Sequence, residues 1–185
     1  MVEIKFIGRG GQGVVIAAQI LAKTYFLMGK YPQCYSLFGG ERRGAPVTGF
    51  LRVDEKKIYL KCEIKKPDWL IFFASDLIDE AEIGRTLKPN GFVLINTPFK
   101  ENHFTGLSKL NLALVNASAI AQEEGIGTAI NTTMLGSYCR IAGDIPTHVL
   151  EDAIRTSVPA KIEENVKAAL HAYEMTTIIS GVNDK

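Results

Sequence analysis

The sequence predicts an α/β fold in one domain, residues 1–185, with a mostly parallel sheet and helices on its faces. Three observations predict it. Short apolar runs of strand character alternate with stretches of helical spacing, turn residues punctuate them, and no internal repeat or low-complexity linker divides the 185 residues.

Residues 2–7 alternate apolar and charged side chains around Glu3 and Lys5, a strand pattern. Residues 13–28 have helical character, stopped by Gly29. Between Val14 and Met28 only Gln19, Lys23 and Thr24 are clearly polar. A helix with so little face for water belongs at the centre of the domain or between its own sheet and another protein. Residues 31–38 form a short strand, followed by a glycine-rich turn around Gly39, Gly40 and Gly44. Residues 47–53 and 57–60 flank Asp54, Glu55 and Lys56, which predicts a hairpin with a charged turn. Residues 69–74 and 92–96 are apolar runs suited to strands covered on both faces, the second preceded by the turn Pro89-Asn90-Gly91. Residues 77–87 between them have helical spacing. Residues 100–110 are polar and loop-like, 112–115 a short strand, and 117–124 a helix ended by Gly125. Asn131 is expected to cap a helix over 132–142, residues 146–156 form another, and a last helix runs from about 160 to 179. Residues 181–185 are expected to fray.

Composition narrows the function classes. Apolar residues make up 46%, charged residues 22%, and the formal charge is +1. This is ordinary globular chemistry, against a disordered chain or a strongly basic nucleic-acid binder. No apolar run approaches the roughly 20 residues of a membrane span, and the N-terminus has a strand pattern rather than that of a signal peptide, so a cytoplasmic location is expected. Cys34, Cys62 and Cys139 are an odd number, and gaps of 28 and 77 residues match neither a paired thiolate metal site nor an iron-sulfur run. They are expected to be buried thiols in a reducing compartment. His103, His148 and His171 have no carboxylate or cysteine at metal or triad spacing, and no serine sits in a nucleophile-elbow context. No self-contained hydrolase site is visible.

The sharpest local feature is Gly8-Arg9-Gly10-Gly11-Gln12-Gly13, between the first strand and the first helix. In that Rossmann-like setting the glycines allow a tight turn, close approach of a ligand to the backbone and tight helix–strand packing. The amides and positive end of the following helix would attract a phosphate or carboxylate. A purely structural turn has the same spacing, and both readings stand. From Ile4 through Gly40 there is no Asp or Glu, although a nicotinamide cofactor needs a ribose-binding carboxylate about 20 residues past the glycines. Dinucleotide use is therefore disfavoured. Lys5, Arg9, Lys23 and Lys30 in this stretch suit a phosphorylated ligand or an acidic partner surface instead. Arg42 and Arg43, held among glycines and a proline, could clamp such an anion in two-pronged fashion, or remain solvated.

With these residues in place, the chain resembles the gamma subunit of 2-oxoacid:ferredoxin oxidoreductases, most closely the pyruvate or 2-oxoisovalerate type. The likeness rests on Gly8-Arg9-Gly10-Gly11-Gln12-Gly13-Val14-Val15, on Phe38-Gly39-Gly40-Glu41-Arg42-Arg43-Gly44-Ala45-Pro46-Val47, on Asn131-Thr132-Thr133-Met134-Leu135-Gly136 and on Asn165-Val166-Lys167-Ala168. The chain departs from the family pattern at Gly40, where a proline is frequent, and at Ser75-Asp76, where an Asp-Pro pair is common. The resemblance implies a complex that decarboxylates a 2-oxoacid on thiamine diphosphate with Mg, passes electrons through [4Fe-4S] clusters to ferredoxin, and transfers the acyl group to coenzyme A. It implies that those cofactors reside in alpha, beta and delta type partner subunits. This chain would contribute assembly contacts and, through Gly8, Arg9, Gly10, Gly11, Gln12, Gly13, Arg42, Arg43 and Asn131, contacts to coenzyme A. The alternative is a purely structural assembly subunit without a ligand; a free-standing nucleotide-dependent reductase is disfavoured by the missing acid.

Overall fold

The computed structural model describes residues 1–38 and 44–181. Its centre is a seven-stranded sheet, ordered β2-β3-β1-β4-β5-β6-β7, from β1 (Val2–Arg9), β2 (Tyr31–Phe38), β3 (Pro46–Asp54), β4 (Trp69–Phe72), β5 (Phe92–Asn96), β6 (Asn111–Val115) and β7 (Thr177–Ile179). Strands β1, β4, β5 and β6 are mutually parallel. β3 joins β1 antiparallel, β2 joins β3 antiparallel, and β7 closes the far edge antiparallel to β6. The α/β class and the parallel centre agree with the sequence.

Alternation along the strands assigns the two faces. Ile4, Phe6, Ile71, Leu94 and Ala113 meet α1 (Val14–Leu27), α4 (Asn131–Ala142), α5 (Thr147–Arg155) and α6 (Ile162–Met175), with α3 (Ala117–Glu123) at the same side. Leu70, Phe72, Val93 and Ile95 meet Ile83 of α2 (Glu80–Thr86) and the short 3-10 turns that carry Phe104 and Leu107. Each fully buried large apolar side chain contributes roughly 1.5–3 kcal/mol, so the helix-rich face carries most of the stability.

Five expectations need correction. Residues 57–60 form no strand; β3 pairs with β1 and β2, and the segment after it crosses the sheet irregularly, because Tyr35 and Gln33 of β2 take its backbone groups. Residues 77–87 split into a 3-10 turn at Ser75–Leu77 and α2, whose start is set by Asp79 accepting from the Glu82 amide at 3.0 Å. The last helix ends at Met175, after which Thr177, Ile178 and Ile179, β-branched residues, extend along β6. Asn131 does not cap α4 from outside: Ile130 occupies the cap position, and Asn131 is the first helical residue, its Oδ1 accepting from the Thr132 amide. Among the cysteines only Cys139 is buried; Cys34 is half-buried and Cys62 exposed. Residues 182–185 lie outside the described residues. Among the described residues no helix is long and apolar enough to cross a membrane.

Candidate functional site

The strand order reverses between β1 and β4: the chain leaves β1 toward β2 and β3, and leaves β4 toward β5 and β6. In open α/β sheets ligands bind in the crevice that opens there, at the carboxyl ends of the strands. The glycine turn stands at that place, between β1 and α1.

Its glycines have different reasons to be glycine. Gly8 has no room for a side chain, since a Cβ would come within 2.6 Å of Val14 Cγ2 and 2.7 Å of Phe73 Cβ. Gly11 and Gly13 have φ of +101° and +81°, the left-handed region that favours glycine. At Gly13 a Cβ would also lie 3.0 Å from the Asn131 side chain. Gln12 holds the turn together: its Oε1 accepts from the Arg9 amide at 2.7 Å and its Nε2 donates to the Phe73 carbonyl at 3.1 Å. The Gly10 amide donates to the Ala45 carbonyl at 2.9 Å. Much of the turn is therefore satisfied internally. The first amides of α1 are the exception, since the first turn of any helix leaves them without intrahelical partners.

Arg9 is not a free cation. Nη1 donates to the Gly44 carbonyl at 3.0 Å, and Nη2 forms a hydrogen-bonded ion pair with Asp76, from the loop after β4. The Arg9 hydrogen bond lowers the Asp76 carboxyl below its ordinary pKa, although the carboxylate is largely exposed. Thus Ser75-Asp76, a departure from the family pattern, supplies a carboxylate to the residue at the mouth of the turn.

Beside the turn lies a groove of about 310 Å³ formed by Arg9, Gly10, Gly11, Gly13, the first turn of α1, Val47, Ala129 and Asn131. Asn131 comes 118 positions after Gly13, and α4 places it directly against that glycine. It is 5% exposed, its Oδ1 is used by Thr132, and its Nδ2 makes no hydrogen bond to a described residue. The structure therefore brings Gly8, Arg9, Gly10, Gly11, Gln12, Gly13 and Asn131 together. Arg42 and Arg43 lie outside the described residues. Among the described residues no three His, Cys, Asp or Glu side chains gather as a metal would need.

Sequence reasoning missed Asp76, Asn96 and Ser118. Asn96 Nδ2 donates to the Phe73 carbonyl at 2.9 Å and lies 3.0 Å from Ser118 Oγ, and the Ser118 amide donates to Asn96 Oδ1 at 3.2 Å. These bonds tie the carboxyl ends of β4, β5 and β6 to one another. The available signal was position: each residue ends or follows a strand of the parallel set.

The sequence matches the family described as pyruvate ferredoxin/flavodoxin oxidoreductase over residues 3–175. It is 43% identical, over 96% of this chain and 98% of the relative, to the pyruvate/ketoisovalerate oxidoreductases common subunit gamma of Thermococcus litoralis. It is 41% identical to the pyruvate synthase subunit PorC of Methanocaldococcus jannaschii, over 94% and 96% of the two chains. The solved pyruvate oxidoreductase subunit PORC of Thermotoga maritima superposes with a TM-score of 0.82 at 28% identity, covering 96% of this chain and 97% of that one.

Proposed function

The chain belongs to the pyruvate ferredoxin/flavodoxin oxidoreductase family, and from that premise we propose that it is the gamma-type subunit of a cytoplasmic 2-oxoacid:ferredoxin oxidoreductase and that its glycine-turn groove receives coenzyme A. In this reading residues 1–185 are one gamma-type domain. Thiamine diphosphate, Mg and the [4Fe-4S] clusters belong to alpha, beta and delta type partners, and ferredoxin is reduced by the complex.

One observation carries the coenzyme A assignment: the first turn of α1, the glycines Gly10, Gly11 and Gly13, and Asn131, whose Nδ2 makes no hydrogen bond to a described residue, line one groove. A helix N-terminus with exposed backbone suits a phosphate group, and an amide donor suits a phosphate or carbonyl oxygen. Arg42 and Arg43 would add the charge that Arg9, already paired, supplies only in part.

The test uses the assembled complex. Asn131→Ala, and separately Arg42→Ala with Arg43→Ala, should raise the apparent KM for coenzyme A by roughly ten- to a hundredfold, the equivalent of one or two hydrogen bonds to a charged group. Radical formation on thiamine diphosphate, driven by the 2-oxoacid alone, should be unchanged. An unaltered coenzyme A dependence in a correctly assembled variant would reject the assignment.

A second reading, a structural subunit without a ligand, is favoured by a specific observation: Arg9, Gly10 and Gln12 already satisfy one another and Asp76, Gly44, Ala45 and Phe73. Calorimetry of the complex with coenzyme A, before and after the Arg42/Arg43 substitution, distinguishes the two.

A further inference from the structure

The segment after β3 is not used by the glycine-turn groove, yet it is held with care and presents an unusual surface. Its backbone is pinned to β2: Gln33 Nε2 donates to the Leu60 carbonyl at 2.7 Å, the Tyr35 hydroxyl donates to the Cys62 carbonyl at 3.3 Å, and the Ile64 amide donates to that hydroxyl at 3.2 Å. Ile64 is buried under the strap, and Tyr35 stacks on Phe50. The outward side chains are of two kinds. Tyr59 is 78% exposed and Leu60 44%. Around them, residues 56–66 hold five lysines and one glutamate, a local charge of +4 in a chain whose total is +1, so the remainder is net negative. Lys57 sits 5.6 Å from the centre of the Tyr59 ring, while Lys56, Lys61, Lys65 and Lys66 form no ion pair with a described residue. Next to the strap, a cavity of about 700 Å³ opens between Phe26 at the end of α1, Tyr31 and Pro32 at the start of β2, and Ile58. Phe26 is 67% exposed at its rim.

We propose that residues 56–66, with this cavity beside them, form the docking face for an acidic surface of another subunit of the oxidoreductase, an inference that rests on the subunit reading above. The charge selects the partner: a ring of unpaired lysines around an aromatic centre is complemented by carboxylates around an apolar side chain. The pinned backbone lowers the ordering cost of binding. The exposed Phe26, Tyr31 and Tyr59 are the residue types that anchor protein interfaces, and the cavity accepts one inserted side chain. A nucleic acid fits less well, because the net negative remainder of the chain cancels the long-range field that a polyanion would follow.

The experiment uses the full chain in its complex. Zero-length carbodiimide coupling of the assembled enzyme should join Lys56, Lys57 or Lys61 to Asp or Glu residues of another subunit. In cells, a tagged chain carrying Lys56→Glu, Lys57→Glu and Lys61→Glu should retain partner subunits at least about tenfold less well than the unaltered chain at moderate salt. All three positions are exposed, so thermal unfolding of the isolated variant should match that of the unaltered chain. Equal retention by both chains, or cross-links only to a second copy of this chain, would overturn the docking face while leaving the subunit reading intact. So would retention by the unaltered chain that nuclease treatment abolishes. Failure of the unaltered chain to capture any oxidoreductase subunit would instead overturn the subunit reading and this inference together.

Discussion

At Gly136 two helices come closer than side chains would allow: a Cβ there would lie 1.8 Å from the Ala169 carbonyl oxygen of α6, a backbone atom that cannot rotate away. Gly136→Ala should therefore force α4 and α6 apart and destabilise the chain by about 1–3 kcal/mol or more. Gly84 is the internal control. It is an exposed helical glycine in α2, a Cβ there meets nothing within 4 Å, and its φ is not positive. Gly84→Ala should stabilise by roughly 0.5–1 kcal/mol, because the unfolded chain loses freedom and the helix loses nothing. Urea unfolding of both variants checks the pair; equal effects would mean that the α4–α6 contact is looser than described. The same contrast marks what single residues reveal in a sequence. The Gly8-to-Gly13 spacing announced a tight turn, but of the two reasons for Gly13, a positive φ and the Asn131 side chain, the second depends on a partner 118 positions away. Likewise nothing local to Arg9 foretells Asp76.

Helices α1 and α4 are joined through the Tyr25 and Tyr138 hydroxyls, buried and 2.8 Å apart. Removing one hydroxyl leaves the other buried without its partner, whereas removing both leaves an apolar contact of similar shape. Tyr25→Phe and Tyr138→Phe should each cost about 1–2 kcal/mol, and the double variant less than their sum. A strictly additive cycle would show that each hydroxyl has another partner. Elements whose identity is set by burial on both faces were readable: β4, β5 and β6 are short apolar runs between turn residues, and they came out within a few positions. Elements whose identity depends on a neighbour were not. Residues 57–60 follow a charged turn as the second strand of a hairpin would, but β3 has both its edges taken by β1 and β2, so no ladder is left for them. β7 hid inside a run of helical spacing. The signal that could have found it was Thr176-Thr177-Ile178-Ile179, four consecutive β-branched residues that helices tolerate poorly and edge strands accept.

Across the whole molecule, groups that lose protons on heating or titration are unevenly placed, and this sets its response to pH. Burial raises the pKa of Tyr25, Tyr138 and Cys139 in the helix-rich core, and pushes the Cys34 thiol on β2 up to about 11. The groups held below their ordinary values, Asp76 by its hydrogen bond to Arg9 and Glu163 by its hydrogen bond to Arg155, lie at the surface, where solvent screens them. For the raised groups the folded state keeps the proton more tightly than the unfolded state; the contribution of Cys34 is complete below the unfolded thiol value near 9.0 and is lost as pH climbs through about 11, while that of Tyr25, Tyr138 and Cys139, raised further, goes on falling in stronger alkali. For the lowered carboxylates the sign is opposite: their contribution is present above the unfolded values near 4 and is lost in acid, but screening keeps it small. The urea midpoint should therefore be nearly level from pH 6 to 8.5 and fall steeply between pH 9 and 11, with Cys34→Ala falling less than the parent over that window. A midpoint that declined in weak acid and held through pH 11 would place the governing charges at the surface pairs rather than in the core.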